Sequence, residues 1–399
     1  MRIRIDASAI VPERSAGVES FAYGLVSGLA AGADEVEVIV VAGTAERWRQ
    51  RTGPAPVRWR EVQQPFTAIR QSGGLRRWVP GWVSSSAPAR RAVAALRQRA
   101  NPVPTDDAVT IYPFHRVPVR AARSVLVLHD LRVFQDEFRS AADQALIRRN
   151  VARAAAVVVS WPHPYQQVRE LFGQARGRTA LIPLPAFHPR PAGLPARSEP
   201  GLLLYPSATA RHKNHRTLLA AVAQLPEVRL VCPGPLVDPQ ATQLRRRAAE
   251  PDLAGRVSFT GFVSEGELTA LFSRADAVVV PSLWEAASGA IFEAFSWGLP
   301  VACADVAPLR AQVEFAGGDV CFFDPHSPRS IRDAIRRLRR ERRRYAEASA
   351  LAGHRLAGRT WADTAADYAA VCRWVADGCR GPIPGSGHAA PADLAGGGR

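Results

Sequence analysis

Short apolar runs rich in valine, isoleucine and leucine punctuate this chain. They lie at Arg2–Asp6, Val36–Ala42, Val109–Pro113, Ser124–Asp130, Ala156–Ser160, Leu181–Pro183, Gly201–Pro206, Val228–Gly234, Val257–Val263, Ala277–Val280 and Val301–Ala304. Near-continuous hydrophobicity, without strict alternation, is what parallel strands buried on both faces require. Helical periodicity fills the gaps, over about Glu19–Ala30, Gln166–Phe172, Arg216–Gln224 and Gly289–Gly298. A further helix opens near Ser264, with Glu265 and Glu267 in its first turn. Regular strand–helix alternation predicts an α/β protein. Residues from about 60 to 105 fit no such repeat. The proline-rich, aperiodic stretch Pro185–Pro200 reads as a linker, after which the pattern restarts at Gly201. Ser327 to His354 reads as a basic amphipathic helix or helix pair. Thr360 to Val375 reads as a last helix with Trp361, Tyr368, Val371 and Trp374 on its apolar side. From Gly378 onward Gly, Pro, Ala and Ser dominate, and a disordered tail over 378–399 is expected.

A length of 399 residues suits two domains, here 1–190 and 201–360 joined by 191–200. No apolar run approaches the roughly 18 residues that span a bilayer. The start of the chain runs straight into a strand without a signal-peptide pattern, so a cytoplasmic protein is expected. Five scattered cysteines without a C-x-x-C spacing read as free thiols and suggest no zinc site. The net charge of +16 raises nucleic acid or anionic membrane as partners. The basic residues are dispersed arginines with no nucleic-acid-binding signature, which argues against nucleic acid. Tryptophans beside arginines in Ile69–Trp82 suit either peripheral docking on the inner membrane face or, more simply, a helix covering the sheet.

The stretch Ala277–Val301 concentrates candidate chemistry. A strand is followed by a loop, and Ser288-Gly289 then opens a helix whose free N–H groups and positive dipole end could hold a phosphate. Gly289 has no Cβ to obstruct it. Glu285 and Glu293, eight positions apart, would bracket that phosphate and accept from hydroxyls on either side; alternatively they are solvated glutamates on a surface helix. Lys213 is the only lysine in the chain, at a strand-to-helix corner suited to an anion. Arg211 could add a second positive charge. His129-Asp130 ends a strand, where open α/β sheets place ligands. Gly17 lies in a glycine turn between the first strand and the first helix.

The Glu-x7-Glu spacing, the small residues between, and the closing Gly298-Leu-Pro-Val301 resemble the donor motif of retaining GT-B glycosyltransferases of family 4 (glycosyltransferase group 1). The resemblance covers most of the chain and is strongest from Leu202 to Asp324. It implies two doubly wound Rossmann-like domains facing a central cleft, with the helix at 361–377 packing back on the N-terminal domain. It also implies that Glu285 contacts the donor sugar, Glu293 the ribose, Lys213 the donor phosphate and His129 the reacting centre. Gly17 matches the glycine loop near the donor phosphate, and Gly261, Phe262 and Val263 match a corner that lies beside the base. Ala286, Ser288, Ala311 and Gln312 depart from the commonest family pattern.

The implied activity is retaining transfer of a hexose, mannose- or rhamnose-like, from a nucleotide diphosphate sugar to a hydroxyl of a glycan or lipid-linked acceptor. No cofactor or metal is called for; Lys213, Arg211 and the Ser288-Gly289 N-terminus would neutralise the leaving group. GDP-mannose is a first guess for the donor, from the wording Tyr205-Pro-Ser207 and His212-Lys-Asn-His215. Two rivals are a non-catalytic GT-B-like partner protein and a non-hydrolysing nucleotide-sugar epimerase, which would need further acid/base groups in the cleft.

Overall fold

The computed structural model describes residues 1–10, 12, 16–32, 34–62, 106–115, 117–186, 189–194 and 198–385. The expected membrane-docking or covering segment Ile69–Trp82 therefore lies outside the described residues.

Two all-parallel sheets form. The first runs β1 (Arg2–Asp6), β2 (Glu35–Val41), β3 (Val57–Val62), β4 (Val109–Tyr112), β5 (Ser124–Val127), β6 (Ala156–Val159) and β7 (Thr179–Leu181). Its spatial order is β3-β2-β1-β4-β5-β6-β7. The second runs β8 (Leu202–Leu204), β9 (Arg229–Pro233), β10 (Val257–Gly261), β11 (Ala277–Val280), β12 (Val301–Ala304) and β13 (Cys321–Phe323). Its order is β10-β9-β8-β11-β12-β13. Each order reverses once, between β1 and β4 and between β8 and β11. At such a switch point the loops leaving the carboxyl ends diverge to opposite sides and open a crevice. Sheet-centre strands such as Ala156–Val159 and Ala277–Val280 are buried at every position, as the unbroken apolar runs require.

β3 and the preceding helix Ala45–Thr52 were not anticipated. Among the described residues Val57-Arg-Trp-Arg-Glu-Val62 pairs on one side only, with β2. A strand at the end of the order needs no continuous apolar run, and charged side chains are common there. The glycine turn expected at Gly17 is instead the first turn of helix Ala16–Ala30, where Gly17 is exposed.

The last helix, Trp361–Ala376, packs against helix Ala16–Ala30. Gly24 and Gly28 share one face of that first helix. A Cβ on Gly24 would come within 2.1 Å of the Trp361 ring, and one on Gly28 within 2.5 Å of its carbonyl oxygen. Disorder expected from Gly378 does not begin there. Ile383 is buried, Gly381 O accepts from the Trp374 indole at 3.2 Å, and Gly385 O accepts from Leu181 N. The expected tail beyond Gly385 lies outside the described residues.

Away from the crevice the two domains meet through an apolar contact. Trp161, at the start of helix Pro162–Leu171, lies 4.6 Å from Phe292 and 6.0 Å from Phe315 between ring centroids.

Candidate active site

The loop after β8 and the loop after β11 leave the second sheet on either side of its switch point. After β8, Arg211–Lys213 form a 3₁₀ turn. Asn214 follows in the left-handed region with φ 57°, a conformation asparagine tolerates better than most residues. Its amide donates to Pro281 O at 3.0 Å and Pro325 O at 2.8 Å, stapling this turn to the loops after β11 and β13. Leu283 N donates to His212 O at 2.8 Å, which adds a second staple.

Those staples bring Lys213 onto Glu285, where the ammonium donates to the carboxylate Oε1. Ser282 Oγ donates to the same oxygen at 2.8 Å and also meets Tyr205 OH at 2.8 Å. Tyr205 OH donates to Lys213 O at 3.0 Å, closing a ring of polar groups around the pair. Burial lifts the Tyr205 hydroxyl far above its usual range, so it stays protonated.

Glu293 lies on helix Gly289–Ser296, one turn in from its start. It is 5% exposed, and no hydrogen bond or ion pair reaches its carboxylate among the described residues. Burial alone pushes that carboxyl up to about 8. An unpartnered buried carboxyl is costly, and hydroxyl donors from a ligand would relieve it.

Ser288 caps the same helix without a side-chain hydrogen bond. Its backbone is gripped by Gln312, whose Oε1 accepts from Ser288 N and whose Nε2 donates to Ser288 O, both at 2.7 Å. The Ser288 N–H is therefore not available to a phosphate. That leaves the N–H groups of Gly289 and Ala290 at the free helix end. Arg211 is exposed beside the Lys213 turn.

At the far end of the same crevice β10 terminates in Gly261, with φ 80°. Phe262 follows it 55% exposed, one of few large apolar side chains left open to solvent among the described residues. Val263 is half-buried. Gly234, after β9, approaches Ser207 so closely that a Cβ would lie 2.5 Å from its carbonyl oxygen.

From the first domain, His129 follows β5 and its Nε2 lies 2.9 Å from Pro113 O, beyond β4. A carbonyl only accepts, so Nε2 carries the proton and Nδ1 is the acceptor. Burial pushes this ring down to about 4, and Phe21 meets its edge at 4.6 Å. Asp130 is turned inward on its own loop. Its Oδ1 accepts from Arg132 N at 3.0 Å, and its Oδ2 lies 3.6 Å from Arg132 Nε. Arg132 Nη1 then reaches His212 Nε2, in the other domain, at 2.7 Å.

Lys213, Glu285, Ser288, Gly289, Glu293 and Arg211 thus share one crevice edge. Asp130 occupies a supporting position behind Arg132. Gly17, in the first turn of helix Ala16–Ala30, has open space on its Cα, with nothing within 4 Å of a Cβ placed there. Sequence reasoning singled out neither Ser282 nor Arg132, and it noted Tyr205, His212 and Gln312 without the contacts they make here. Ser282 could have been flagged by its place three residues before Glu285; Gln312 acts through a contact 24 residues back that no local pattern announces. Among the described residues no group of three or more His, Cys, Asp or Glu could hold a metal ion.

Residues 190–352 match the family described as glycosyl transferases group 1. The chain is 26% identical over 248 residues to O-antigen chain mannosyltransferase B of Escherichia coli, a match spanning 55% of this chain and 64% of that protein. Among solved structures it resembles sucrose-phosphate synthase from Thermosynechococcus elongatus, with a TM-score of 0.69 and 19% identity over 94% of this chain and 99% of that one. HepE from Anabaena, solved with UDP and glucose, has a TM-score of 0.65 and 16% identity, covering 92% and 98% of the two chains. At such identities the likeness to solved structures speaks to the two-domain GT-B fold.

Proposed function

We propose that this chain, whose residues 190–352 form a glycosyl transferases group 1 domain, moves a hexose from a nucleotide diphosphate sugar to a hydroxyl acceptor with retained configuration. The observation that carries the reading is the pairing of Lys213 with Glu285 at the switch point, followed one turn into the next helix by Glu293, buried and unpartnered among the described residues.

Breaking the bond between the sugar and the diphosphate places negative charge on the leaving group and positive charge on the sugar ring. Lys213, Arg211 and the N–H groups of Gly289 and Ala290 meet the first charge. These fixed cations and dipoles are sufficient to proceed without a metal ion. Glu285, once Lys213 turns to phosphate, is free to orient sugar hydroxyls. Glu293 accepts from ribose hydroxyls, and Gly261, Phe262 and Val263 flank the base. His129 presents a neutral acceptor, Nδ1, toward the reacting centre. The acceptor hydroxyl's proton passes to a donor phosphate oxygen as the new glycosidic bond forms on the same face.

The mannosyltransferase relative supports a mannose-like sugar and GDP-mannose as the first donor to try. A glycan or lipid-linked sugar is the acceptor class, met by a protein that sits in the cytoplasm or peripherally on the membrane. No described helix is long and apolar enough to cross a membrane.

Thermal shift against GDP, UDP, dTDP and ADP, with and without Mg²⁺, tests this. A ligand at a hundred times its Kd stabilises the fold by about 2.7 kcal/mol. One nucleotide should raise Tm by several degrees irrespective of Mg²⁺, and Lys213→Ala should abolish the response. Silence from all four would overturn the donor-site assignment.

A further inference from the structure

Two polar bridges join the domains on the crevice side among the described residues. Arg51–Glu265, at 2.6 Å, is exposed at both ends, where an ion pair contributes little. Arg132–His212 is different, because each partner is tied into one half of the site. Arg132 is held from behind by Asp130, the neighbour of His129. His212 sits between Arg211 and Lys213, with its carbonyl fixed by Leu283 N and its ring edge-on to Phe138 at 6.3 Å. An arginine only donates, so His212 accepts through Nε2 as a neutral imidazole. One continuous polar path therefore crosses the crevice: the His129-Asp130 loop, Arg132, His212, Lys213, Glu285.

We propose that Arg132 is a positioning residue that latches the two domains through His212, setting the His129 loop at its working distance from the Lys213–Glu285 pair. The proposal rests on the glycosyl-transfer reading of that site. A latch of this kind fixes reacting groups and keeps water out. Its loss should lower transfer while largely sparing nucleotide binding, which the proposed reading assigns chiefly to second-domain residues.

The experiment uses the full-length protein and the variants Arg132→Gln, His212→Leu, His212→Gln and the double variant Arg132→Gln/His212→Leu. Transfer, donor hydrolysis, nucleoside diphosphate affinity and the radius of gyration by X-ray scattering are measured. Arg132→Gln and His212→Leu should each lower kcat about tenfold or more and raise the hydrolysed share of donor. Nucleotide Kd should stay within about threefold, and the radius of gyration should increase. The double variant should be no worse than either single one, since one interaction is lost only once. His212→Gln places an acceptor where Nε2 stood and should recover most of the loss, which a merely structural histidine would not allow. Additive losses, or an unchanged ratio of hydrolysis to transfer and an unchanged radius, would overturn the latch. If the parent protein binds no nucleoside diphosphate, the functional reading fails alone. The latch then stands or falls on the radius of gyration of Arg132→Gln.

Discussion

The two faces of the crevice are built to opposite rules. On the second domain, groups suited to a ligand are left wanting: among the described residues Glu293 has no partner, Phe262 is open to solvent, and Arg211 is exposed. On the first domain the polar groups that hold the crevice loops are consumed internally, although Thr110 Oγ1 and His163 Nε2 are buried without a hydrogen bond among the described residues. Asn150, fully buried, accepts from Val119 N and donates to His115 O and Val117 O, at 2.8–3.0 Å. Asp130 is spent on Arg132, Asp6 on Ser8, and His129 Nε2 on Pro113 O. On the proposed reading the second domain is the receptor, with unmet hydrogen bonds suited to its ligand. The first is a platform whose satisfied bonds fix the loops it presents. Substitutions on the two faces should therefore fail differently.

The largest difference should come from Glu285→Gln. It keeps shape and the bond from Ser282 but removes the charge facing Lys213. Transfer should fall about a thousandfold, or roughly 4 kcal/mol in the transition state. Tm should move by only a few degrees, because the pair is open at its rim. Kinetics beside a melting curve checks this, and a variant that unfolds while the survivors turn over normally would merge the two faces into one structural role.

Asn150→Ala should do the reverse. It strands one buried N–H and two carbonyls, which costs about 3 kcal/mol of stability. Below the new melting temperature, nucleotide affinity should be unchanged. Denaturant unfolding paired with nucleotide titration distinguishes the outcomes; a loss of affinity without a loss of stability would place Asn150 in the receptor instead.

The receptor was far more legible in the sequence than the platform, for a physical reason. Lys213, Glu285 and Glu293 lie in two short loop-and-helix segments after unmistakable apolar strands, so local pattern alone places them at strand ends. The platform is held by bonds between distant segments. Asn150 grips residues more than 30 positions back, and Arg132 reaches 80 positions forward to His212. Asp130 illustrates the cost: its strand-end position was read correctly, yet its carboxylate is turned toward its own loop. Gln312 belongs to the same class. The sequence marked it as a departure from the family pattern, whereas in the fold it holds Ser288 by both backbone groups. β3 escaped because an edge strand buries too little to need an apolar run.

The smallest effect is also the one that tests the receptor idea most directly. The Glu293 carboxyl has an ordinary value of 4.5 and is pushed up to about 8 by burial. Between those values the folded chain holds a proton that the unfolded chain has released. Its contribution to stability is therefore full below about pH 4.5, declines as pH rises, and is gone above about pH 8. The difference between the parent protein and Glu293→Gln should follow that course, amounting to about 2 kcal/mol once water reaching the ionised carboxylate is allowed for. Ribose hydroxyls would donate best to the ionised form, so nucleotide binding near pH 7 should expel a proton. Affinity should then rise with pH up to about 8. Calorimetry in two buffers of different ionisation enthalpy measures that proton directly. Equal proton release in Glu293→Gln would mean that this carboxyl is an ordinary buried group and that the second domain, like the first, is already satisfied.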